Sequence, residues 1–253
     1  MKYRIPISIV LLSVFMAACQ SEDGYRDIRN YYFPLKALES GLVYEYEPLG
    51  NTPTSNIYWY YRSIIQNGAV NLTGTYYEND LIPLQLNNEQ MTEAGMVLKD
   101  LYLYEADSFN VDQQRQIPVE IIQDDVFPFN VKKDGGIFLY NIKWSTPNDP
   151  GATMELIKNR RYLRDTSFVF QDKKYDAILF ELKELVAYDK EGVLEQEYSG
   201  QEIYAKGLGL VYYSKQVTEA LHLQYRLKER YPMERLEEKF RIKYEPDKQE
   251  IQQ

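Results

Sequence analysis

Hydrophobic and polar positions alternate with a period of two along most of this chain after residue 30. Such alternation is typical of β-strands that bury one face. The pattern predicts strands at Leu42–Tyr46, Ile57–Arg62, Val97–Tyr104, Gly136–Trp144, Ser167–Phe170, Ala177–Val186, Leu208–Tyr213 and Leu221–Lys228. Clusters of Asn, Asp, Gly and Pro separate these segments and predict turns.

Many short strands with few helices indicate one antiparallel sheet that must curl or pack on something to bury its apolar face. We therefore predict a mainly β fold, a strongly curved antiparallel sheet in the form of a half-barrel or open barrel, with one or two short helices. Asn87–Lys99 is a candidate for a turn or two of helix, and Met233–Phe240 has the spacing of a short C-terminal helix. A single domain is expected over residues 31–244, followed by a polar tail over 245–253.

The first 18 residues have the features of a secretory signal. Lys2 and Arg4 precede an apolar run from Ile7 to Phe15, which is too short to span a bilayer, and small residues precede Cys19. A cysteine in this place resembles the lipobox of bacterial lipoproteins, in which it becomes the lipidated N-terminus, although Met16 stands where leucine is usual. The alternative is an ordinary signal peptide followed by a chance cysteine.

Residues 19–30 are polar and acidic and predict a short tether after the lipidated cysteine. Gln20, Ser21, Glu22 and Asp23 resemble the acidic signal that sends Bacteroidota lipoproteins to the outer cell face. A simple solvated linker is the alternative interpretation.

The net charge excludes one class of partner. Removing residues 1–18 takes away Lys2 and Arg4 from 29 basic residues, which leaves 27 against 38 acidic residues, or −11. Phosphate binding needs a basic surface, so we expect no nucleic acid partner. Membrane attachment is then expected through the acyl chains on Cys19, since there is no basic segment to hold anionic lipid.

Aromatic residues are abundant, with 24 Tyr, 10 Phe and 2 Trp. The candidate aromatic binding surface comprises Tyr58, Trp59, Tyr60, Tyr61 and Trp144. Alternation places Tyr58 and Tyr60 on one face of a strand, and Trp59 and Tyr61 on the other. One face is expected to be core; the other is either an exposed platform for sugar rings or apolar chains, or is covered by the curl of the sheet or by a helix.

Catalytic chemistry finds little support in the sequence. His222 is the only histidine and is predicted to point outward from a strand, and Cys19 is the only cysteine. No nucleophile–histidine arrangement or zinc pattern follows from these two residues. A carboxylate pair acting on glycans is not excluded, because its spacing is three-dimensional. We expect no enzyme, no cofactor and no metal.

Three motifs resemble a group of Bacteroidota lipoproteins. The first is Tyr31-Tyr32-Phe33-Pro34-Leu35 followed by Gly41 and Tyr44-Glu45-Tyr46; the second is Phe127-Pro128-Phe129; the third runs from Ile203 to Tyr212. The tryptophan usual after each glycine of that group is absent here after Gly41. The resemblance implies a half-barrel similar to that of lipoprotein carriers, and it supplies no catalytic residues.

Together these observations predict a lipid-anchored, non-enzymatic protein of the outer membrane, on its periplasmic or cell-surface face. It would bind an apolar ligand or a partner protein in the curve of its sheet. The alternative is a surface glycan-binding accessory lipoprotein that uses exposed aromatic residues. Lipid, glycan and envelope protein are thus the candidate partners.

Overall fold

The computed structural model of this chain describes residues 24–50, 52–78, 80–107, 114–132 and 137–244. The predicted signal peptide, Cys19, the segment Gln20–Asp23 and the tail over 245–253 lie outside the described residues. Fifteen strands and one α-helix follow one another in the described ranges. They are β1 (Tyr25–Asp27), β2 (Leu42–Pro48), β3 (Ile57–Gln66), β4 (Ala69–Tyr77), β5 (Gln85–Met91), β6 (Gly95–Ala106), β7 (Gln114–Pro118), β8 (Glu120–Pro128), β9 (Asn130–Lys132), β10 (Ile137–Ser145), β11 (Thr153–Phe170), β12 (Lys173–Asp189), β13 (Val193–Ala205), β14 (Gly209–Gln216), β15 (His222–Tyr231) and α1 (Met233–Tyr244).

Twelve of these strands form a barrel-like antiparallel sheet. Their order is β5-β4-β3-β2-β15-β14-β13-β12-β11-β10-β8-β6, and β6 pairs in turn with β5, so the ring of strands closes. β7 branches from β6, and β1 pairs with β9 in a separate two-stranded sheet. The predicted mainly β, strongly curved antiparallel sheet is confirmed, and closure through β5 and β6 removes the free edges that an open barrel would keep.

The helix predicted within Asn87–Lys99 is wrong. β5 and β6 occupy this stretch as an antiparallel pair around a tight turn. Gly95 begins β6 where this strand also pairs with β8, and a Cβ atom there would lie 2.4 Å from the carbonyl oxygen of Phe127, so only glycine allows β6 and β8 to approach so closely. The second predicted helix is confirmed, because α1 begins at Met233.

The N-terminal segment fills one end of the closed sheet. Tyr25–Asp27, within the stretch predicted as a tether, pairs with β9, and the side chains after it turn inward. Ile28, Tyr32, Phe33 and Leu38 are buried among core residues of the sheet. Two 3₁₀ turns, Arg29–Tyr31 and Leu35–Leu38, shape this segment.

Two of the motifs noted in the sequence meet at this end. The Phe33 ring lies with its centroid 4.3 Å from that of Tyr61 and packs directly over Gly209. Tyr44 donates a 3.0 Å hydrogen bond from its hydroxyl to the carbonyl of Leu208. Contacts across more than 160 residues of sequence therefore join the N-terminal segment and β2 to the turn before β14.

On the outer face of the sheet, α1 covers a second apolar cluster. Leu236 and Phe240 of the helix pack against Val43 and Tyr231 of neighbouring strands. Beside this cluster Glu45 is only 1% exposed. Its carboxylate accepts hydrogen bonds from Asn56 (2.7 Å), Tyr231 (2.6 Å), Lys228 (3.1 Å) and Lys239 of α1.

We predict that Gly209→Ala destabilises the fold more than Gly207→Ala. Both glycines have a positive φ (88° and 74°), so each alanine carries a backbone cost of about 1 kcal/mol. Only the Cβ at Gly209 meets a neighbour, 2.4 Å from Cδ1 of Phe33, and overpacking adds about 1–3 kcal/mol. Urea unfolding measures both variants, and equal losses would contradict the packing of Phe33 over Gly209.

Glu45→Gln is expected to cost about 2 kcal/mol at neutral pH, because a buried carboxylate with charged donors is replaced. Burial alone raises the pKa of Glu45, but the hydrogen bonds from Lys239, Tyr231 and Lys228 outweigh it and lower the pKa to about 2. The stabilisation is therefore complete above the ordinary pKa of 4.5 and disappears as the pH falls towards 2.

Thermal unfolding between pH 2 and pH 8 measures this difference. Glu229→Gln is the control, since Glu229 pairs with Arg235 of α1 at a more exposed position, and it is expected to cost less than about 1 kcal/mol. A gap between wild type and Glu45→Gln that persists unchanged at pH 2 would refute the assignment.

Candidate functional site

The closed sheet surrounds a cavity of about 420 Å³ that is partly open to solvent. Its lining residues come from strands all around the ring and from the N-terminal segment. They are Tyr32, Phe33, Ile57, Trp59, Tyr61, Tyr76, Gln85, Asn87, Glu89, Leu98, Leu101, Leu103, Val126, Tyr140, Ile142, Trp144, Leu156, Lys158, Arg160, Glu202, Tyr204, Leu210 and Tyr213.

Aromatic and aliphatic side chains make up most of the wall. The rings of Trp59 and Tyr61 are parallel within 6°, with centroids 5.6 Å apart, because residues two apart on β3 share a face. Trp59 also contacts Tyr76 on β4, at 5.2 Å between centroids. Trp144 packs beside Leu98 and Leu101 in a neighbouring apolar cluster. This wall is suited to apolar matter or to the faces of flat rings.

Charged side chains line another part of the same cavity. Arg160 donates a 2.6 Å hydrogen bond to the carbonyl of Val126, and its Nε lies 2.9 Å from Oε2 of Glu202. Lys158 Nζ lies 3.0 Å from Glu184 and 3.7 Å from Glu202. Each of these two cations thus faces a carboxylate, so the charged part of the wall carries little net charge.

The surroundings shift the pKa values of two interior carboxyls in opposite directions. Burial alone raises the pKa of Glu184, but Lys158 and Lys215 outweigh it and lower the pKa to about 2. For Glu89, burial dominates and the pKa is raised, although the Tyr32 hydroxyl and the Asn87 amide (2.7 Å) both donate hydrogen bonds to its carboxylate. Glu184 therefore stays ionised, whereas Glu89 binds a proton more readily than an exposed glutamate does.

The five residues of the candidate aromatic surface do not share one surface. Trp59, Tyr61 and Trp144 line the interior cavity, whereas Tyr58 and Tyr60 lie on the outer face, packed against the cluster under α1. Tyr58, Trp59 and Tyr60 are half-buried and Tyr61 is buried, so one face of β3 lies inside the curl of the sheet and the other lies beside α1.

Sequence reasoning missed the charged members of the cavity wall. Lys158 and Arg160 alternate with neighbours in β11 just as residues on a solvated face would, and so do Asn87 and Glu89 in β5. The only signal is that Leu156 and Tyr162 share the face of Lys158 and Arg160, which places apolar residues at both ends of a charged pair.

Two further observations concern other kinds of site. His222 is exposed, as predicted, and its ring lies 3.2 Å from the side-chain amide of Gln224. Within the described ranges, no three His, Cys, Asp or Glu side chains gather in a way that could hold a metal ion. Across the same residues, no helix has both the length and the apolar character needed to cross a membrane.

Comparison with known proteins places this chain in no family. No family model matches it, and no curated protein matches it either. Two solved structures resemble it at 11% sequence identity. A protein described as a lipoprotein of Parabacteroides distasonis aligns over 81% of this chain and all of its own, with a TM-score of 0.49. An exported protein with a YmcC-like fold from Bacteroides fragilis aligns over 79% of this chain and 98% of its own, with a TM-score of 0.47.

Proposed function

We propose that this chain is a lipid-anchored protein of the cell envelope, without enzymatic activity, that binds an apolar ligand inside its closed sheet. The cavity of about 420 Å³ with its mainly aromatic and aliphatic wall is the observation that carries the proposal. Its volume lies within the roughly 300–1,000 Å³ of small-molecule sites in proteins.

The distribution of charge in the wall supports a ligand that is largely neutral. Lys158 and Arg160 are each paired with carboxylates, so an anionic ligand would have to compete with Glu184 and Glu202 for them. Removing one partner of such a buried pair is costly, so the pairs are expected to stay intact when a ligand enters.

Anchoring at the outer membrane is proposed from the N-terminal sequence. The apolar run ending before Cys19 and the acidic Gln20-Ser21-Glu22-Asp23 motivate it. The first strand of the described residues begins at Tyr25, six positions after Cys19 in the sequence, so lipidation at Cys19 would hold the domain close to the membrane surface. A cysteine that carries two or more acyl chains anchors a protein stably, whereas a single chain gives only marginal, reversible binding.

Glycan binding is retained as a second candidate function, now inside the cavity. The observation that favours it is that both tryptophans and the side-chain amides of Gln85 and Asn87 line the same cavity, since aromatic rings together with amides suit sugar rings.

Tryptophan fluorescence distinguishes the two ligands directly. Trp59 and Trp144 are the only tryptophans in the chain and both line the cavity, so the emission of the whole protein reports this site. For residues 20–253 we expect a saturable blue shift with 1-dodecanol and no change with maltohexaose. Native mass spectrometry of the same protein checks that one molecule binds.

Leu103→Arg places a charge in the cavity wall and is expected to weaken 1-dodecanol binding at least tenfold. Ile122→Arg is the matched control, because Ile122 is exposed outside the cavity. Should Leu103→Arg fail to fold by circular dichroism, Leu156→Phe reduces the cavity volume without adding charge. A response to maltohexaose alone would replace the apolar ligand with a glycan, and no response to either would refute ligand binding.

Lipidation is tested independently of the ligand. The full chain, expressed in a bacterial host with 17-octadecynoic acid, is expected to carry the alkyne label and to sediment with membranes. Cys19→Ser is expected to lose both properties, while Glu22→Ala with Asp23→Ala keeps the label. Protease treatment of intact cells then shows which face of the membrane the protein occupies. Alkyne labelling of the Cys19→Ser chain would overturn the assignment of Cys19 as the anchor.

A further inference from the structure

The hairpin of β12 and β13 extends beyond its neighbour on one side. β13 pairs with β12 along its whole length, from Val193 opposite Asp189 to Ala205 opposite Ala177. β14 pairs with β13 only from Ser199 onward, where Ser199 lies opposite Gln216. In the part of the chain that the structure describes, Val193–Tyr198 therefore has a strand on one side only, and we name this segment the β13 free edge.

The β13 free edge is held in an extended conformation by the rest of the sheet. The adjoining part of β12 is paired on its other side with β11, where Asp189 lies opposite Thr153. At the tip, Tyr188 and Lys190 both donate hydrogen bonds to the carboxylate of Asp149 in the turn before β11. An edge ordered in this way loses little conformational entropy when another strand joins it.

Several of the devices that protect edge strands are missing from these six residues, and the charges of Glu195 and Glu197 are the ones present. They include neither proline nor lysine, and the register with β12 shows no bulge. Val193 and Leu194 are 61% and 71% exposed, which is unusual for large apolar side chains. Glu195, Gln196 and Glu197 are exposed as well, so the edge is both apolar and acidic.

We propose that the β13 free edge binds an extended, basic segment of a partner protein, which adds a strand to the sheet. Main-chain hydrogen bonds would supply affinity, and lysine or arginine opposite Glu195 and Glu197 would supply selectivity. A second copy of this chain is disfavoured, because pairing two such edges brings their glutamates together. An anionic membrane surface is disfavoured for the same reason. This inference is independent of the interior cavity and of any ligand in it.

The probe is a fluorescein-labelled peptide, Thr-Lys-Val-Lys-Val-Thr, titrated with residues 20–253 in fluorescence anisotropy at about 150 mM salt. All described elements lie within this range of the chain. We expect saturable binding that is roughly tenfold tighter than that of Thr-Glu-Val-Glu-Val-Thr. Basic peptides N-methylated at every interior residue are expected not to bind, because neither of their edges can complete the ladder.

Glu195→Lys with Glu197→Lys is expected to reverse the preference between the two peptides. The matched control is Glu39→Lys with Glu93→Lys, which changes the net charge equally at exposed positions outside β13 and is expected to keep the preference. All four side chains are exposed, so neither variant is expected to unfold.

Several results would overturn the proposal. One is the absence of saturable binding of the basic peptide. Another is binding of the N-methylated peptides as tight as that of the unmodified peptide. A third is a reversal of the peptide preference in the control variant as well. If the chain dimerises in sedimentation velocity and Glu195→Lys with Glu197→Lys abolishes the dimer, the edge binds a second copy of this chain instead. If no peptide binds, and Glu195→Lys with Glu197→Lys strengthens sedimentation with phosphatidylglycerol vesicles, the β13 free edge acts through its charge alone and not by strand addition.

Discussion

Pairing between β5 and β6 is the interaction on which the rest of this structure depends. Without it the twelve strands would form an open curved sheet with two long edges, and the side chains on its concave face would be exposed to water. With it, aromatic and aliphatic residues from all around the ring face one another across a shared interior. On the other side of β6, Gly95 allows the close approach of β8, because a Cβ atom there would collide with the carbonyl oxygen of Phe127. The cavity is a consequence of closure.

The two ends of the interior are occupied differently. The N-terminal segment inserts Ile28, Tyr32 and Phe33 into one end, where Phe33 packs over Gly209, and this end is filled with buried side chains. Further along the interior, packing is interrupted by the cavity between Trp59, Trp144 and the charged residues of β11. Protein interiors normally pack without voids of this size, so a cavity of about 420 Å³ in an otherwise dense core is the strongest structural argument for a ligand. On the outside, α1 and the buried Glu45 stabilise the same strands without touching the cavity.

In a closed sheet, charged residues that alternate along a strand point either into the interior or into the solvent, as the interior charges and the β13 free edge show. Lys158 and Arg160 face inward and are neutralised by Glu184 and Glu202, whereas Glu195 and Glu197 face water on the part of β13 that has no second neighbouring strand. Both sets occupy strands with charged residues at regular positions. Which set is interior depends on where neighbouring strands begin and end, and the stagger between β13 and β14 is a property of the whole ring.

Local patterning determined much of this fold. The alternation at Leu42–Tyr46, Ile57–Arg62 and Leu221–Lys228 and the helical spacing after Met233 all correspond to observed elements, because each pattern has the period of the element that forms. β4, β5, β8, β13 and the part of β11 before Ser167 escaped prediction, as did the short β1, β7 and β9. In β4, β8 and the start of β13, residues covered or exposed on both faces do not alternate. Of the predicted aromatic residues, Trp59, Tyr61 and Trp144 reached the cavity, and Tyr58 and Tyr60 lie under α1. Ring closure, the inward direction of Lys158 and Arg160 and the free edge of β13 were decided only by tertiary structure, because each depends on contacts between residues far apart in the chain.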